Sequence, residues 1–317
     1  MLETVLIQNF KGFKNTLISP FRKVNLIIGG QNVGKTSVLE AAQIALGGRE
    51  TTVFRQNEGN DPNRFSASVM ANPNLTLYAK YSDQEFVLTR RDAIDAQVVA
   101  VSAPGSLHPQ GQTSSSWGTS QRFANKRALK GPVPRCIAIP LFLPPQMHLV
   151  TLFGQVILKR KKRELTELLR SVEPRLISLD AISPDGDQRV YAELEGVQQA
   201  LPLTLMGHGF SRLVHLFSEM LVSDAQIALI DEVENGIHYS ALPTLFRGIK
   251  TVAQERDVQS LITTHSWDCL RAACEVFENS PDLFQVIRLE RHEDDVKAIC
   301  IDGARMLRLM ADEREVR

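Results

Sequence analysis

The sequence lacks the residue patterns that mark several large classes of protein. Its four cysteines form no CxxC pair, and no spacing of Cys and His matches a zinc site. We therefore expect reduced, buried thiols. No apolar run approaches the ~20 residues needed to span a bilayer, and the first residues lack the positive-then-apolar order of a signal peptide. Together these absences predict a soluble, cytoplasmic protein without a membrane partner.

The chain also lacks a net charge. Lys plus Arg and Asp plus Glu both number 36, so the composition gives no global reason to expect binding to nucleic acid. Basic residues cluster locally in the run from Lys159 to Arg163, and more loosely at Arg122, Lys126, Arg127 and Lys130. A charge run on a helix is more often a solvated face, and Glu164 and Glu167 partly offset this one. Direct binding of DNA stays an open alternative to a solvated surface.

The first half of the chain changes its pattern several times. Val24 to Ile28 is a β-rich run that stops at Gly29-Gly30, and Thr36 to Ala45 has the apolar spacing of a helix that ends at Gly47-Gly48. Alternating residues in 75–101 predict an antiparallel hairpin region. The stretch 102–132 is rich in Ser, Gly, Gln and Pro and predicts a loop. Arg135 to Leu143 then predicts a buried strand, and 151–171 a single helix.

The second half alternates helices with strands. Residues 174–203 predict short strands and turns, and the predicted helices 209–222, 239–254 and 266–278 are followed by strands 226–230, 258–263 and 283–289. Repeated β–α units of this kind indicate an α/β fold with a mainly parallel sheet covered by helices.

A phosphate-binding loop follows the strand that begins at Val24. The eight residues that fit G-x-x-x-x-G-K-[ST] are Gly29, Gly30, Gln31, Asn32, Val33, Gly34, Lys35 and Thr36. The glycines allow a tight loop whose backbone N–H groups face phosphates, and the next helix, with Ser37 in its first turn, adds its positive end. Lys35 is expected to reach the β- and γ-phosphates, and the Thr36 hydroxyl to ligate Mg²⁺. The loop predicts ATP and Mg²⁺ as ligands.

Two carboxylates end the strand that starts at Gln226. Asp231 and Glu232 lie almost two hundred residues after the phosphate loop. In a P-loop protein the first carboxylate of such a pair holds Mg²⁺, usually through water, and the second polarises the attacking water as a general base. ATPases that activate water commonly have this pair. We therefore predict an ATP-hydrolysing enzyme with Asp231 at the metal and Glu232 as the base.

Two further features lie near this pair in the sequence. Strand 258–263 is followed by His265, and a histidine in this place can hydrogen-bond the γ-phosphate and sense its loss. The segment from Leu203 to Gly209, with Thr204 and Gly207, precedes a helix and offers a second anion site. Because one subunit does not imply a second nucleotide, we expect this loop to close over the γ-phosphate bound by another subunit. A simple helix-capping turn is the alternative.

The order of these motifs resembles the ABC-type ATPase heads of the RecF, SMC and OLD (overcoming lysogenisation defect) group, over nearly the whole chain. Ile7 to Phe13 looks like the first strand and turn of that group, and Asn25 to Thr36 like its phosphate loop. Leu203 to Gly209 resembles the OLD-like form of the ABC signature, Asp231 to His238 the Walker B and D-loop segment, and Thr263 to Ser266 the segment of the switch histidine.

The resemblance implies a P-loop NTPase with an N-terminal antiparallel β-subdomain and a short helical insertion. It further implies a dimer that holds two ATP molecules between two heads, closed by ATP and opened by hydrolysis. A Q-loop glutamine is also expected as a metal-site residue; Gln146 is our choice and Gln56 the competitor.

We expect one ABC-type ATPase domain over 1–317, with an N-terminal lobe (1–101), a loop insertion (102–132), a helical and β insertion (133–203) and a C-terminal lobe (204–317). The chain ends about fifty residues after His265 with no carboxylate cluster of a TOPRIM nuclease, and its central helical segment is too short for an SMC arm. The resemblance is therefore closest to a stand-alone OLD-like ATPase of the AAA family.

Such ATPases occur in antiphage systems with separate effector subunits, so the analogy implies a homodimer or higher oligomer that controls a separate nuclease or other effector. A slow scaffold or sensor subunit that binds ATP is the alternative. A small-molecule kinase is a third interpretation, but the sequence has no recognisable lid or acceptor site for one.

Overall fold

The computed structural model of the protein describes residues 1–46, 75–82, 84–89, 97–101, 134–139, 146–184 and 186–312. Several predictions concern residues outside these ranges: the helix end at Gly47-Gly48, the glutamine Gln56, the loop 102–132 with its basic residues Arg122, Lys126, Arg127 and Lys130, and the strand end 140–143.

The described strands, in chain order, are β1 (Leu2–Phe10), β2 (Phe13–Ile18), β3 (Val24–Gly29), β4 (Thr76–Tyr81), β5 (Gln84–Thr89), β6 (Gln97–Val101), β7 (Cys136–Ile139), β8 (Leu176–Ile182), β9 (Arg189–Leu194), β10 (Leu201–Pro202), β11 (Ile227–Ile230), β12 (Gln259–Thr263), β13 (Phe284–His292) and β14 (Asp295–Asp302). The described α-helices are α1 (Lys35–Ala45), α2 (Gln146–Leu158), α3 (Lys162–Arg170), α4 (His208–Val222), α5 (Leu242–Glu255), α6 (Trp267–Phe277) and α7 (Gly303–Ala311).

The central sheet has six strands in the order β14-β13-β3-β12-β11-β7. The pairs from β13 to β7 are parallel, and β14 pairs antiparallel with β13 at one edge. Successive side chains of a strand point to opposite faces, so Leu26 and Ile262 belong to one hydrophobic core while Ile27 and Leu261 belong to another. Burial on both faces explains the continuous apolar runs, and the predicted mainly parallel sheet is confirmed.

Different elements cover the two faces of this sheet. Residues of α2, α4, α5 and α6 pack on one face. Helix α1 packs on the other, together with a five-stranded antiparallel sheet of order β2-β1-β4-β5-β6. The predicted hairpin region is confirmed: Tyr78 pairs with Val87 between β4 and β5, and Val87 with Val99 between β5 and β6. A third sheet, of order β10-β9-β8, lies in the region predicted to hold short strands.

The single helix predicted over 151–171 is wrong. Two helices, α2 and α3, occupy the region, and the basic run crosses the break between them. Arg160 has a φ of 57°, its N–H bonds to Ile157 O at 2.9 Å, and the N–H of Lys161 bonds to Val156 O at 2.8 Å. This is the Schellman pattern that ends a helix, and glycine usually holds the left-handed position that Arg160 occupies here. The apolar spacing therefore predicted one continuous helix, whereas these hydrogen bonds end α2 before α3 begins.

Residues 295–311, whose secondary structure was not predicted, form the edge strand β14 and helix α7. The four cysteines are all described and all free; Cys269 and Cys274 are buried, and Cys136 and Cys300 are half-buried. Among the described residues, none of the helices combines the length and apolarity needed to cross a bilayer.

The contact between α4 and α5 gives a test of the packing. Gly248 of α5 lies against the buried ring of Phe217, and a Cβ at Gly248 would come within 2.3 Å of that ring. Alanine gains about 1 kcal/mol over glycine in a helix, but overpacking a core costs roughly 1–3 kcal/mol. The difference is a loss of up to about 2 kcal/mol, so we expect Gly248→Ala to lower the free energy of unfolding in guanidinium denaturation.

Gly154→Ala is the matched control. Gly154 lies inside α2, and a Cβ there would meet no atom within 4 Å. This change is expected to raise the free energy of unfolding by about 0.5–1 kcal/mol. The described packing of α4 on α5 would be contradicted if both substitutions changed stability in the same direction.

Candidate nucleotide site

The phosphate loop joins β3 to α1. Gly34, the residue before α1, has a φ of 102°, and a Cβ there would lie 2.7 Å from the ring of Phe13. Gly29 is equally restricted, because its Cβ would lie 2.8 Å from Leu289 O. Val33 is buried and anchors the loop. Between these fixed points, Gly30, Gln31 and Asn32 are exposed. The loop is therefore tight at both ends and open to a ligand in the middle.

The N-terminus of α1 is free to bind an anion. Gly34 has no side chain to cap it, and the first turn, with Lys35, Thr36 and Ser37, contains no acidic residue. The first N–H groups of a helix lack partners within the helix and lie at its positive end. This end of α1 therefore has the electrostatic character of a phosphate site.

Lys35 is folded back into the loop. Its Nζ donates hydrogen bonds to Gly29 O at 3.0 Å and Gly30 O at 2.9 Å. Burial lowers the pKa of Lys35 below its ordinary value, and the nearby carboxylates of Glu232, Glu234 and Asp231 raise it again. The ammonium group thus lies between the phosphate loop and the acidic segment that follows β11.

Asp231 is the centre of a hydrogen-bond cluster that unites three segments. The Thr36 hydroxyl lies 3.0 Å from each of its carboxylate oxygens, and the Thr263 hydroxyl donates to Oδ1 at 2.6 Å. Asp231 itself is buried. The structure thus brings together Thr36 and Asp231, two of the three residues that the sequence predicted to act at the metal.

Glu232 is held in a backbone conformation that few residues adopt. Its φ is 41°, in the left-handed region. The Thr263 hydroxyl accepts a hydrogen bond from Glu232 N–H at 2.8 Å, and the N–H of Val233 donates to Thr263 O at 3.1 Å. A residue in this region costs roughly 1–3 kcal/mol and persists where its surroundings hold it. The predicted base is therefore fixed by β12.

His265 is exposed and bound to Glu234. The Glu234 carboxylate accepts a hydrogen bond from the His265 backbone N–H at 3.0 Å, and the same Oε1 lies 3.1 Å from the ring Nδ1. An open pocket beside the phosphate loop is lined by Ile28, Gly29, Gly30, Thr264, His265, Ser266, Trp267 and Leu270. The structure thus brings the predicted switch histidine to the same pocket as the phosphate loop.

The sequence analysis missed Arg212, a buried cation on α4. Its Nη2 donates a hydrogen bond to Asp231 O at 3.2 Å, and its side chain is almost fully buried. Burial lowers the pKa of Arg212, and the carboxylates of Asp231, Glu234 and Glu232 raise it. The sequence does contain a signal for Arg212: it is an arginine on the apolar face of a predicted helix, and a buried arginine needs polar partners. The roles of Thr263 and Glu234 were missed as well. Their hydrogen bonds join the segment after β11 to the end of β12, and these segments are far apart in the sequence.

The predicted signature loop surrounds the start of α4. Thr204 and Gly207 are exposed, and Gly207 has a φ of 88°. Gly209 packs against the turn after β11, where a Cβ would lie 2.7 Å from Gly236 O. Gln146 is the first residue of α2, but its side chain lies outside the described part of the structure. Its predicted metal role stays a prediction, as does the competing role of Gln56.

Comparison with known proteins supports the class that this site indicates. Residues 1–97 match the family model "AAA ATPase domain", and residues 150–268 match the model "AAA domain, putative AbiEii toxin, Type IV TA system". The chain is 23% identical to a protein of Helicobacter pylori (strain ATCC 700392 / 26695) named "ATP/GTP phosphatase", over 95% of this chain and 92% of that protein.

Solved structures of SMC heads share the fold. An SMC head bound to the C-terminal winged-helix domain of ScpA has a TM-score of 0.62 at 14% identity, with 95% of this chain and 97% of that chain covered. The SMC head domain of Thermotoga maritima has a TM-score of 0.56 at 13% identity, covering 95% and 99%. A head from Pyrococcus furiosus, crystallised with the C-terminal domain of ScpA, has a TM-score of 0.60 at 11% identity, covering 99% of each chain.

The chain has the fold of an SMC head, and the matched ATPase model together with the named relative supports an ATPase of the ABC/AAA type. The predicted fold class is confirmed. The predicted enzyme class, an ATP-hydrolysing enzyme, is confirmed too, because one matched model describes an AAA ATPase domain and the relative is named an ATP/GTP phosphatase.

The Thr263 hydroxyl offers a test of the site. Thr263→Val removes its bonds to Asp231 and to Glu232 N–H while keeping the shape of the side chain. Leaving such groups unpaired costs roughly 1–3 kcal/mol. If the transition state carries this loss, kcat for ATP hydrolysis falls by roughly 5- to 150-fold. Thr263→Ser keeps the hydroxyl and should retain most of the activity. Equal turnover by the Val and Ser variants, with unchanged Tm, would contradict this role.

Proposed function

We propose that this chain is an ATPase head that closes on ATP with a second copy of itself and opens after hydrolysis. The observation that carries the proposal is the cluster at Asp231. There the Thr36 hydroxyl, the Thr263 hydroxyl and the backbone of Glu232 are joined within hydrogen-bond distance beside the open N-terminus of α1. This arrangement serves the transfer of a phosphoryl group to water.

The donors at this cluster fit ATP with Mg²⁺. A threonine hydroxyl and a carboxylate are the oxygen ligands that Mg²⁺ takes in phosphate sites, and Thr36 and Asp231 already lie 3.0 Å apart. When bound, Mg²⁺ neutralises charge on the phosphates. The loop N–H groups would bind the phosphate oxygens, and Lys35 would exchange its bonds to the carbonyls of Gly29 and Gly30 for bonds to phosphate.

Glu232 is proposed as the base that takes a proton from the attacking water, and His265 as the residue that responds to the γ-phosphate. Their support is positional. Glu232 follows the buried Asp231 directly, and Glu234 orients His265 through both its backbone and its ring. A carboxylate that accepts from a ring N–H fixes the orientation of a histidine.

Dimerisation through the signature loop is supported by what this loop exposes and what it contacts. Thr204, Leu205 and His208 face solvent at the start of α4. On the inner side, Gly209 packs against Gly236, and Arg212 bonds to Asp231 O. If a second copy bound its ATP against this loop, α4 would connect that ATP to the acidic pair through the contacts of Gly209 and Arg212.

We further propose that the ATPase controls a separate effector, with an OLD-like role in antiphage defence as the specific form. Its basis is the motif resemblance, together with a set of exposed apolar side chains in the helical and β insertion: Met147, Ile157, Leu158, Ile177 and Ile182. The alternative is a scaffold or sensor subunit that binds ATP but hydrolyses it slowly. The intact Glu232 favours hydrolysis.

DNA remains a weaker candidate partner. Most charges of the basic run are already paired: Lys159 with Asp224 at 3.4 Å, Lys161 with Glu164 at 3.0 Å, Arg163 with Glu167 at 2.8 Å, and Lys162 with Asp180. A basic side chain that is already paired must leave its carboxylate before it can neutralise a phosphate, which weakens the case for DNA binding here. If DNA binds, the binding should depend steeply on salt, because phosphate neutralisation would dominate it.

The proposed reaction predicts the behaviour of Glu232→Gln. Loss of a general base lowers turnover by roughly 10²–10⁴-fold, so steady-state ATP hydrolysis with Mg²⁺ should fall in that range while ATP binding persists. With hydrolysis blocked, the mass measured by light scattering should rise to that of a dimer when ATP is added. Glu255→Gln is the control, because Glu255 is exposed at the end of α5 and the substitution changes the charge equally.

Two results would separate the alternatives. Unchanged hydrolysis by Glu232→Gln would remove Glu232 from its role as the base. An ATP-dependent dimer of the wild type with negligible turnover would favour the scaffold. An unchanged monomer mass of Glu232→Gln in the presence of ATP would exclude the dimer.

A further inference from the structure

A second cluster of ligand atoms lies between α2 and α4, apart from the phosphate loop. His148 comes from the first turn of α2, and His215 and Glu219 lie one helical turn apart on α4. The Oε1 atom of Glu219 is 3.3 Å from His148 Nε2 and 3.7 Å from His215 Nε2. The three ligand atoms all lie within 4.8 Å of one another. One point in space is thus surrounded by two imidazoles and a carboxylate.

These separations are close to those of a coordination sphere. Zinc binds histidine nitrogen and carboxylate oxygen at about 2.0–2.2 Å, in a tetrahedron whose ligand atoms are about 3.3–3.6 Å apart. The two nitrogen–oxygen distances, 3.3 and 3.7 Å, already lie at about these values. The two nitrogens also lie within 4.8 Å of each other, and the exposed His148 side chain is the one with room to move.

Burial favours a coordinated ion at this point. His215 is almost fully buried, and its Nδ1 has no hydrogen-bond partner among the described residues. The Glu219 side chain is 24% exposed. The buried imidazole and the carboxylate therefore face each other largely away from bulk water, where an ion that binds both takes the place of water as their partner.

We propose that His148, His215 and Glu219 bind a divalent transition-metal ion of the zinc class, with water as the fourth ligand. Two histidines and a carboxylate are a known zinc ligand set, and the half-exposed His148 gives the ion a path from solvent. The sequence showed no sign of it, because 67 residues separate His148 from His215 along the chain. Only the packing of α2 on α4 unites them.

The ion would connect the insertion to the nucleotide site. Helix α4 begins at the signature loop, and Arg212, which bonds to Asp231 O, lies one turn before His215. A metal bond between α2 and α4 would fix the insertion to the helix that contacts the acidic segment. The site stands independently of the proposed dimer, since its ligands come from one chain.

The test is metal binding by the full-length protein, stripped with EDTA and kept free of nucleotide. Zn²⁺ is titrated by calorimetry, and Co²⁺ is used as a spectroscopic probe, since tetrahedral Co²⁺ with nitrogen ligands absorbs in the visible region. We expect one ion per chain, the visible bands of Co²⁺, and a rise in Tm with Zn²⁺. In His148→Ala, the affinity should fall by ~100-fold or more, because even outer partners of a metal ligand typically contribute 10–100-fold.

His292→Ala is the matched control. The His292 side chain is 55% exposed, against 53% for His148, and lies 3.8 Å from one carboxylate, that of Glu290. It should bind metal as the wild type does. Glu219→Gln serves as a second ligand variant and should lose the Co²⁺ bands. The site would be overturned if the wild type gave no visible bands, or if His148→Ala bound Zn²⁺ as tightly as His292→Ala; the cluster would then be an ordinary hydrogen-bond network.

Discussion

The hydrogen bonds of the Asp231 carboxylate determine the geometry of the whole nucleotide site. They come from Thr36, which follows β3, and from Thr263, which ends β12. Strand β12 lies between β3 and β11, and the parallel register pairs Thr263 with Ile27 on one side and Ile262 with Ile230 on the other. The carboxyl ends of the three strands therefore meet at one edge. The site is positioned by the ladder hydrogen bonds of a sheet that is buried on both faces, as parallel sheets are.

Helix α4 joins this edge to the rest of the molecule. Its first residues form the exposed signature loop, and its buried Arg212 contacts Asp231. A buried cation is costly unless charges and hydrogen bonds compensate for it, so α4 cannot shift without breaking a contact that the acidic segment supplies. Gly209 also packs closely against the backbone of Gly236, and this contact limits a shift of α4 sterically. The helix and the acidic segment are thus coupled through one ion–dipole contact and one close backbone contact.

The sequence alone predicted those parts of the site that are formed by consecutive residues. The phosphate loop and the Asp231-Glu232 strand end each combine a motif with correct flanking elements, so local pattern was enough. The helix end at Arg160 was not predictable, because hydrogen bonds from residues 160 and 161 stabilise an arginine where glycine is usual. The roles of Thr263 and Arg212 were hidden for another reason. Each bonds across a long stretch of sequence to Asp231, and that proximity exists only after the strands pair.

The strained backbone at Glu232 limits how the site can respond to ATP. Its φ of 41° is held by Thr263 on one side, and the following residue, Val233, is bound to the same threonine. Glu234 is occupied with His265. A turn constrained at three successive residues has little freedom to rearrange, so the backbone of Glu232, the proposed base, is preorganised before ATP binds. Control of hydrolysis must then come from groups outside this turn, and the exposed signature loop of a second copy is the surface on which the proposed mechanism places it.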